Sequence, residues 1–150
     1  MSETILNIIP QHPEYNPDVI AVIHAGEFLL SKFPDADRTH SETHDEIQFI
    51  DAGSNFENIT CPACGKEISM DWWSEAMARA HESQFTNLDV VVPCCNTRTT
   101  LNDLHYHSPQ GFARLIISVI NPDASEMDEK TKSELEQILG CPLRIIWAHY

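Results

Sequence analysis

Basic side chains are scarce in this sequence: nine Lys and Arg stand against 23 Asp and Glu, a net charge of −14 over 150 residues. A protein that grips a nucleic-acid backbone needs a basic footprint, so the shortage argues against nucleic acid as the partner. Apolar runs of membrane length are also missing, which excludes a spanning helix and a membrane partner. The start, Met1-Ser2-Glu3-Thr4, lacks the basic and then apolar pattern of a secretory signal. No nucleophile elbow, phosphate loop, dinucleotide fingerprint or His-Glu-x-x-His pair occurs. The five cysteines are odd in number and cluster at metal-like spacing, which points to a reduced, cytoplasmic chain rather than a disulfide scaffold. In that compartment the Asn58-Ile59-Thr60 sequon is without consequence.

What is present is acid, an ordinary 42% of apolar residues, and one organised stretch. The acid keeps the chain soluble and favours fast encounter with a basic protein partner. The length suits one domain over residues 1–150, with a core of its own beside any metal. The organised stretch runs from Cys61 to Cys95. Cys61-Pro62-Ala63-Cys64-Gly65 has the chemistry of a zinc knuckle. Two thiolates three positions apart can point at one ion, Pro62 stiffens the turn, and Gly65 permits a left-handed backbone. The other half of a tetrahedral site must come from elsewhere, and Cys94-Cys95 is the only other close pair. Cys61, Cys64, Cys94 and Cys95 therefore read as one closed Zn2+ site. Neighbouring side chains in an extended chain point opposite ways, so both cysteines reach one ion only if the backbone turns between Pro93 and Asn96. If only one of them binds, His81, His105 or His107 is the candidate fourth ligand.

Along the chain, Ile5–Ile9 reads as a strand ended by Pro10. Asn16-Pro17-Asp18 reads as a helix start with Asn16 as the cap. Val19, Val22, Ile23, Gly26, Leu29, Leu30 and Phe33 follow at helical spacing as its buried face, with Gly26 marking close packing on a sheet. Asp35–Glu46, with His40 and His44, reads as polar loop, and Ile47–Ile50 as a second strand. Ser69–Gln84 is a helix and Leu88–Val92 a strand. Thr100–Tyr106 reads as a short helical turn behind a capping box. Ala113–Ile120 is the strongest strand pattern, Ser125–Leu139 a helix closed by Gly140, and Leu143–Ala148 a last strand. The expected fold is α+β. Two β-α-β halves surround a mainly antiparallel sheet, ferredoxin-like in plan, with residues 58–107 as an inserted zinc-binding unit.

Cys61-x-x-Cys64-Gly65-Lys66, then Asp71-Trp72, then Cys94-Cys95-x-x-Arg98 and a leucine-containing short helix resemble the zinc bundle of the small N-type subunit of multisubunit RNA polymerases. The resemblance implies that both cysteine pairs hold one structural zinc in a non-catalytic protein that assists assembly of larger subunits. It covers Cys61 to Leu104 only, Arg98 alone supplies basic character after the second pair, and the flanks have no counterpart. The wider string, with Leu101-Asn102-Asp103-Leu104 and Gly111-Phe112-Ala113-Arg114, also looks like small bacterial proteins without an assigned function.

The remaining chemistry is thin. His24, His149 and Cys141 are isolated, and the acids Glu126, Asp128 and Glu129 suit a helix start. Of Trp72 and Trp73, one can be buried while the other faces a partner, or both can pack where the zinc unit docks on the sheet. An all-thiolate zinc leaves no position for water, so the expectation is a non-enzymatic binding protein, in one version an acidic inhibitor or immunity-type protein covering a basic surface. Two other readings are a zinc enzyme with an open coordination position and a transcription-associated adaptor with a basic stripe of Lys66, Arg79, Arg98 and Arg114.

Overall fold

The structure is a computed structural model that describes residues 2–150. It is mixed α and β, with three helices and a four-stranded antiparallel sheet. Strand β1 (Thr4–Pro10) leads to helix α1 (Val19–Lys32) and strand β2 (Arg38–Ile50). After a central segment come strand β7 (Gly111–Ile120), helix α3 (Glu129–Leu139) and strand β8 (Leu143–His149). The central segment contributes β3 (Ile59–Thr60), helix α2 (Met70–Glu82), β4 (Asp89–Val91), β5 (Arg98–Thr100) and β6 (His105–Tyr106). The sheet order is β2-β7-β1-β8, so β7 lies between β1 and β2, and β1 between β7 and β8. Two small ladders, β3 with β6 and β4 with β5, belong to the central segment. Among the described residues no helix is long and apolar enough to cross a membrane.

The period-two pattern of β7 sets the two faces of the sheet. Leu115, Ile117 and Val119 point to the helices and join Leu6, Ile8, Leu29, Leu135 and Leu143 in one core. On the opposite face Ile9 and Ile146, with the partly buried Ile116 of β7, are covered by Ile50 and Ala52. The chain after β2 crosses that face to the far edge, where Gly53 pairs with His149 and the Ser54 N–H donates to the His149 carbonyl at 2.8 Å. Gly53 is required there: its φ is +60°, and a Cβ would collide with the His149 carbonyl.

Three sequence expectations are corrected. Asp18, not Asn16, caps α1, its carboxylate accepting the Ile20 N–H at 3.1 Å. Asp18 is the last capping residue before the apolar run, and its charge also meets the positive helix end. Second, His40 and His44 lie in strand, not loop. β2 pairs with β7 from Arg38↔Ile120 to Ile50↔Gly111, with an irregularity between Thr43 and Gln48. It is an edge strand, so its outer groups meet water and need not be apolar. Third, Thr100–Tyr106 forms no helix. Thr100 Oγ1 donates to Asp103 Oδ2 at 2.8 Å in a turn joining β5 to β6. The Thr100 hydroxyl, which in a helix cap would accept a backbone N–H, here donates to a carboxylate and closes the turn.

The central segment has its own apolar cluster, including Ile59, Ile68, Ala76, Val92, Leu101 and Tyr106, which also takes in Ile47 of β2 and Phe112 of β7. Asn102 is the polar joint between this segment and the sheet. It is buried, its amide donates to the Gln11 carbonyl at 3.0 Å, and its Oδ1 accepts the Phe112 N–H at 3.2 Å and Arg144 Nη1 at 3.0 Å.

Candidate metal centre

Two turns of the same design bring four cysteines together. In the first, the Cys61 N–H donates to the Lys66 carbonyl at 2.8 Å and the Gly65 N–H to the Cys61 carbonyl at 2.9 Å. In the second, the Val92 N–H donates to the Thr97 carbonyl at 3.0 Å and the Asn96 N–H to the Val92 carbonyl at 3.0 Å. Pro62 and Pro93 occupy the same place, and Gly65 (φ +78°) and Asn96 (φ +57°) supply the left-handed residue. In this correspondence Cys95 stands where Cys64 does. Val92 takes the place of Cys61, and both are buried. Cys94 takes the place of Ala63. The second turn thus moves one ligand from the start of the turn to its crest, which is how two adjacent cysteines serve one site.

All four Sγ atoms lie within 4.8 Å of one another. Cys64 Sγ is 3.3 Å from Cys94 Sγ, and Cys61 Sγ is 3.8 Å from Cys95 Sγ. Four sulfurs at a zinc–sulfur distance of about 2.3 Å sit about 3.8 Å apart in a tetrahedron. The donor set and its spacing therefore fit a tetrahedral metal ion. Cys61 is buried, Cys94 half-buried, and Cys64 and Cys95 exposed. The backbone N–H groups of Cys64 and Ala63 aim at the Cys61 sulfur and draw its thiol down to about 6, against the opposing effect of burial. Cys94 is pushed up to about 12 by its contact with the Cys64 sulfur and by burial. One thiolate forms readily and the last proton is hard to remove, until a cation offsets the crowded negative charge. Thr97 Oγ1 lies 3.1 Å from Cys95 Sγ and gives that sulfur a polar neighbour.

The histidines stand apart from the cluster. His81 packs edge-on against Phe85 at 5.5 Å, and His105 and His107 are exposed at β6 and just beyond it. On β2, His40 Nε2 and His44 Nε2 each lie 3.0 Å from an oxygen of Glu42. Those two hydrogen bonds hold the Glu42 carboxyl below the usual carboxylate range. His24 is exposed on α1, and His149 Nδ1 lies 3.2 Å from Thr4 Oγ1. Cys141 is half-buried, and burial pushes its thiol up.

Trp72 and Trp73 are both half-buried and both pack against the central apolar cluster. Trp73 sits among Phe49, Phe56 and Tyr106, and its Nε1 donates to the Tyr106 hydroxyl at 3.2 Å. That hydroxyl donates in turn to the Leu101 carbonyl at 2.6 Å. Trp72 lines an open groove of about 1010 Å³ between α2 and the β4–β5 hairpin, with Arg79, Val90 and Arg98. Arg79 and Arg98 of the supposed basic stripe do share this groove, whereas Lys66 and Arg114 do not line it. The groove itself is not legible in the sequence, since its walls come from elements whose packing only the fold sets. No family model matches the chain, and no curated protein or solved structure matches it either.

Proposed function

We propose that the protein holds one structural zinc ion through Cys61, Cys64, Cys94 and Cys95 and acts by binding another protein, without a catalytic step. The observation that supports this reading is the convergence of four sulfurs within 4.8 Å. A tetrahedral ion there has every position filled by the chain and none left for water or substrate. An all-thiolate tetrahedral donor set favours zinc over metals that prefer oxygen or imidazole. The net charge of −14 favours a basic protein surface as the partner, as for an acidic inhibitor or immunity-type protein.

Two finer readings go with it. The sheet order β2-β7-β1-β8 supports two interleaved β-α-β units, the ferredoxin-like plan, with the zinc unit inserted between them. The adjacent pair Cys94-Cys95 supports the likeness to the polymerase zinc bundle in its metal geometry. A nucleic-acid adaptor has less support, because the groove that holds Arg79 and Arg98 also holds Glu82 and Asp89. Arg114 Nε is engaged with the His44 carbonyl at 3.1 Å.

The test is metal content, coordination and turnover measured on one preparation. Elemental analysis is expected to give one zinc per chain, and cobalt substitution a four-thiolate tetrahedral spectrum. Hydrolase and deaminase assays are expected to show no metal-dependent turnover. Absence of zinc, or a turnover abolished by Cys94→Ser in a still-folded protein, overturns the reading.

A further inference from the structure

Helix α1 is apolar on more sides than the sheet covers. Its only polar side chains are His24, Glu27, Ser31 and Lys32. The core takes Ala25, Leu29 and Phe33. Val19, Ile20, Ile23 and Leu30 stay 72%, 61%, 55% and 47% exposed, half of the exposed large hydrophobic residues among the described ones. The expected buried face of this helix is thus only partly used. A helix apolar on two sides is normally covered on both.

Positions 19, 23, 26 and 30 fall on one stripe of α1. Gly26, in the middle of that stripe, faces Thr39 of β2, whose Oγ1 lies 4.0 Å from where a Cβ would be. A groove of about 220 Å³ runs between the helix and the strand, lined by Ile23, Gly26, Leu30, Thr39 and Ser41. β2 is the last strand on its side of the sheet, so its outer N–H and C=O groups have no strand partner. The opposite edge is guarded, because Gly53, Ser54 and Asn55 dock on β8. One edge of the sheet is therefore open, and an uncovered apolar shelf stands directly over it.

We infer that an extended, basic segment of a partner protein adds to β2 as a fifth strand and packs its apolar side chains under Ile23 and Leu30 of α1. Strand addition supplies backbone hydrogen bonds, and alternate side chains enter the helix–strand groove. The charge of the region selects the occupant. From Asp18 to Ile50 there are seven acids (Asp18, Glu27, Asp35, Asp37, Glu42, Asp45, Glu46) against two bases, Lys32 and Arg38. A second copy would set one acidic edge against another, at −14 per chain, whereas a lysine-bearing strand meets opposite charge. This inference rests on the proposal that the protein works by binding another protein.

The experiment titrates zinc-loaded, full-length, ¹⁵N-labelled protein with two capped octapeptides, one alternating Lys and Val, the other Glu and Val. The lysine peptide is expected to shift amides of β2 within residues 39–46 and of α1, and the glutamate peptide to shift none. Ile23→Gln and Leu30→Gln change exposed positions and leave the charge as it is, so the fold and the attraction for lysine are both retained. Each is expected to weaken the lysine peptide by about tenfold, the loss of one apolar contact. Three results overturn the inference: no shifts with the lysine peptide, shifts centred on β8 or on the Trp72 groove, or shifts indifferent to both variants. A concentration-dependent dimer in sedimentation that Leu30→Gln abolishes also overturns it, in favour of a second copy. Shifts at the Trp72 groove leave the protein-binding reading standing, whereas the turnover result described above removes that reading whatever α1 does.

Discussion

The four-stranded sheet and the central segment bury their apolar residues by different means. Strands of 7, 13, 10 and 7 residues make the sheet, and their period-two faces stack on α1 and α3. In residues 58–107 the strands are two or three residues long, too short to persist on their own, and one 13-residue helix covers them. There four sulfurs from two turns distant in sequence converge beside the apolar cluster, and a metal ion held by them would tie the turns together. With a metal bound, the small region would take much of its stability from a few strong bonds, while its neighbour takes it from buried area.

The largest effect that tests this contrast is metal removal. Structural zinc contributes about 10–16 kcal/mol in finger peptides, more than the net stability of most domains. A strong chelator, or Cys64→Ser, is expected to release the amides of residues 59–106 to fast hydrogen exchange while β1 and β7 stay protected. Equal loss of protection in the sheet would show that the two regions are one unit.

Next comes the sheet core. Leu115 is fully buried, and Leu115→Ala is expected to cost about 2–5 kcal/mol in urea unfolding and to lower protection in both regions. Asn102→Ala at the joint strands the Phe112 N–H, the Gln11 carbonyl and part of the Arg144 guanidinium. Its expected cost is roughly 1–3 kcal/mol. It should also make exchange in the central segment less dependent on the sheet, and unchanged coupling would show that the joint lies in the apolar contacts instead.

The two turns give a smaller comparison. Gly65→Ala forces a Cβ onto a backbone at φ +78° and is expected to destabilise by about 1 kcal/mol. Asn96→Gly, at φ +57°, is expected to be neutral or slightly stabilising in thermal unfolding. The smallest effect concerns Asp128, the cap of α3, whose carboxyl is held low by its hydrogen bonds to Thr131. Its folded pKa lies below the unfolded one, so its contribution is complete above the ordinary carboxylate pKa and fades as pH falls through the folded value. Asp128→Asn should flatten the acid limb of the stability curve without changing the plateau shape near neutral pH.

Much of this architecture was legible because its causes are local. Ser69 caps α2 and Gly140 closes α3 at φ +75°, both marked by residue type and position. Strand β7 announces itself by alternation. The polar half of β2 did not, because an edge strand has no need of apolar residues on its open side. The uncovered stripe of α1 was misjudged for the converse reason, since periodicity shows which residues are apolar and not what stands opposite them.

By itself the sequence determined the two turns, since Pro62 with Gly65 and Pro93 with Asn96 set backbone geometry within a few residues, and it determined which side chains can ligate a metal. Only the tertiary structure decided that the two turns meet, so that Cys94 and Cys95 both face the sulfurs of Cys61 and Cys64. It also decided that β7 lies between β1 and β2, and that β2 is left with an open edge beneath α1. Turn geometry is a matter of local sterics. Convergence across some thirty residues, and the order of strands in a sheet, depend on which apolar faces find each other when the whole chain closes.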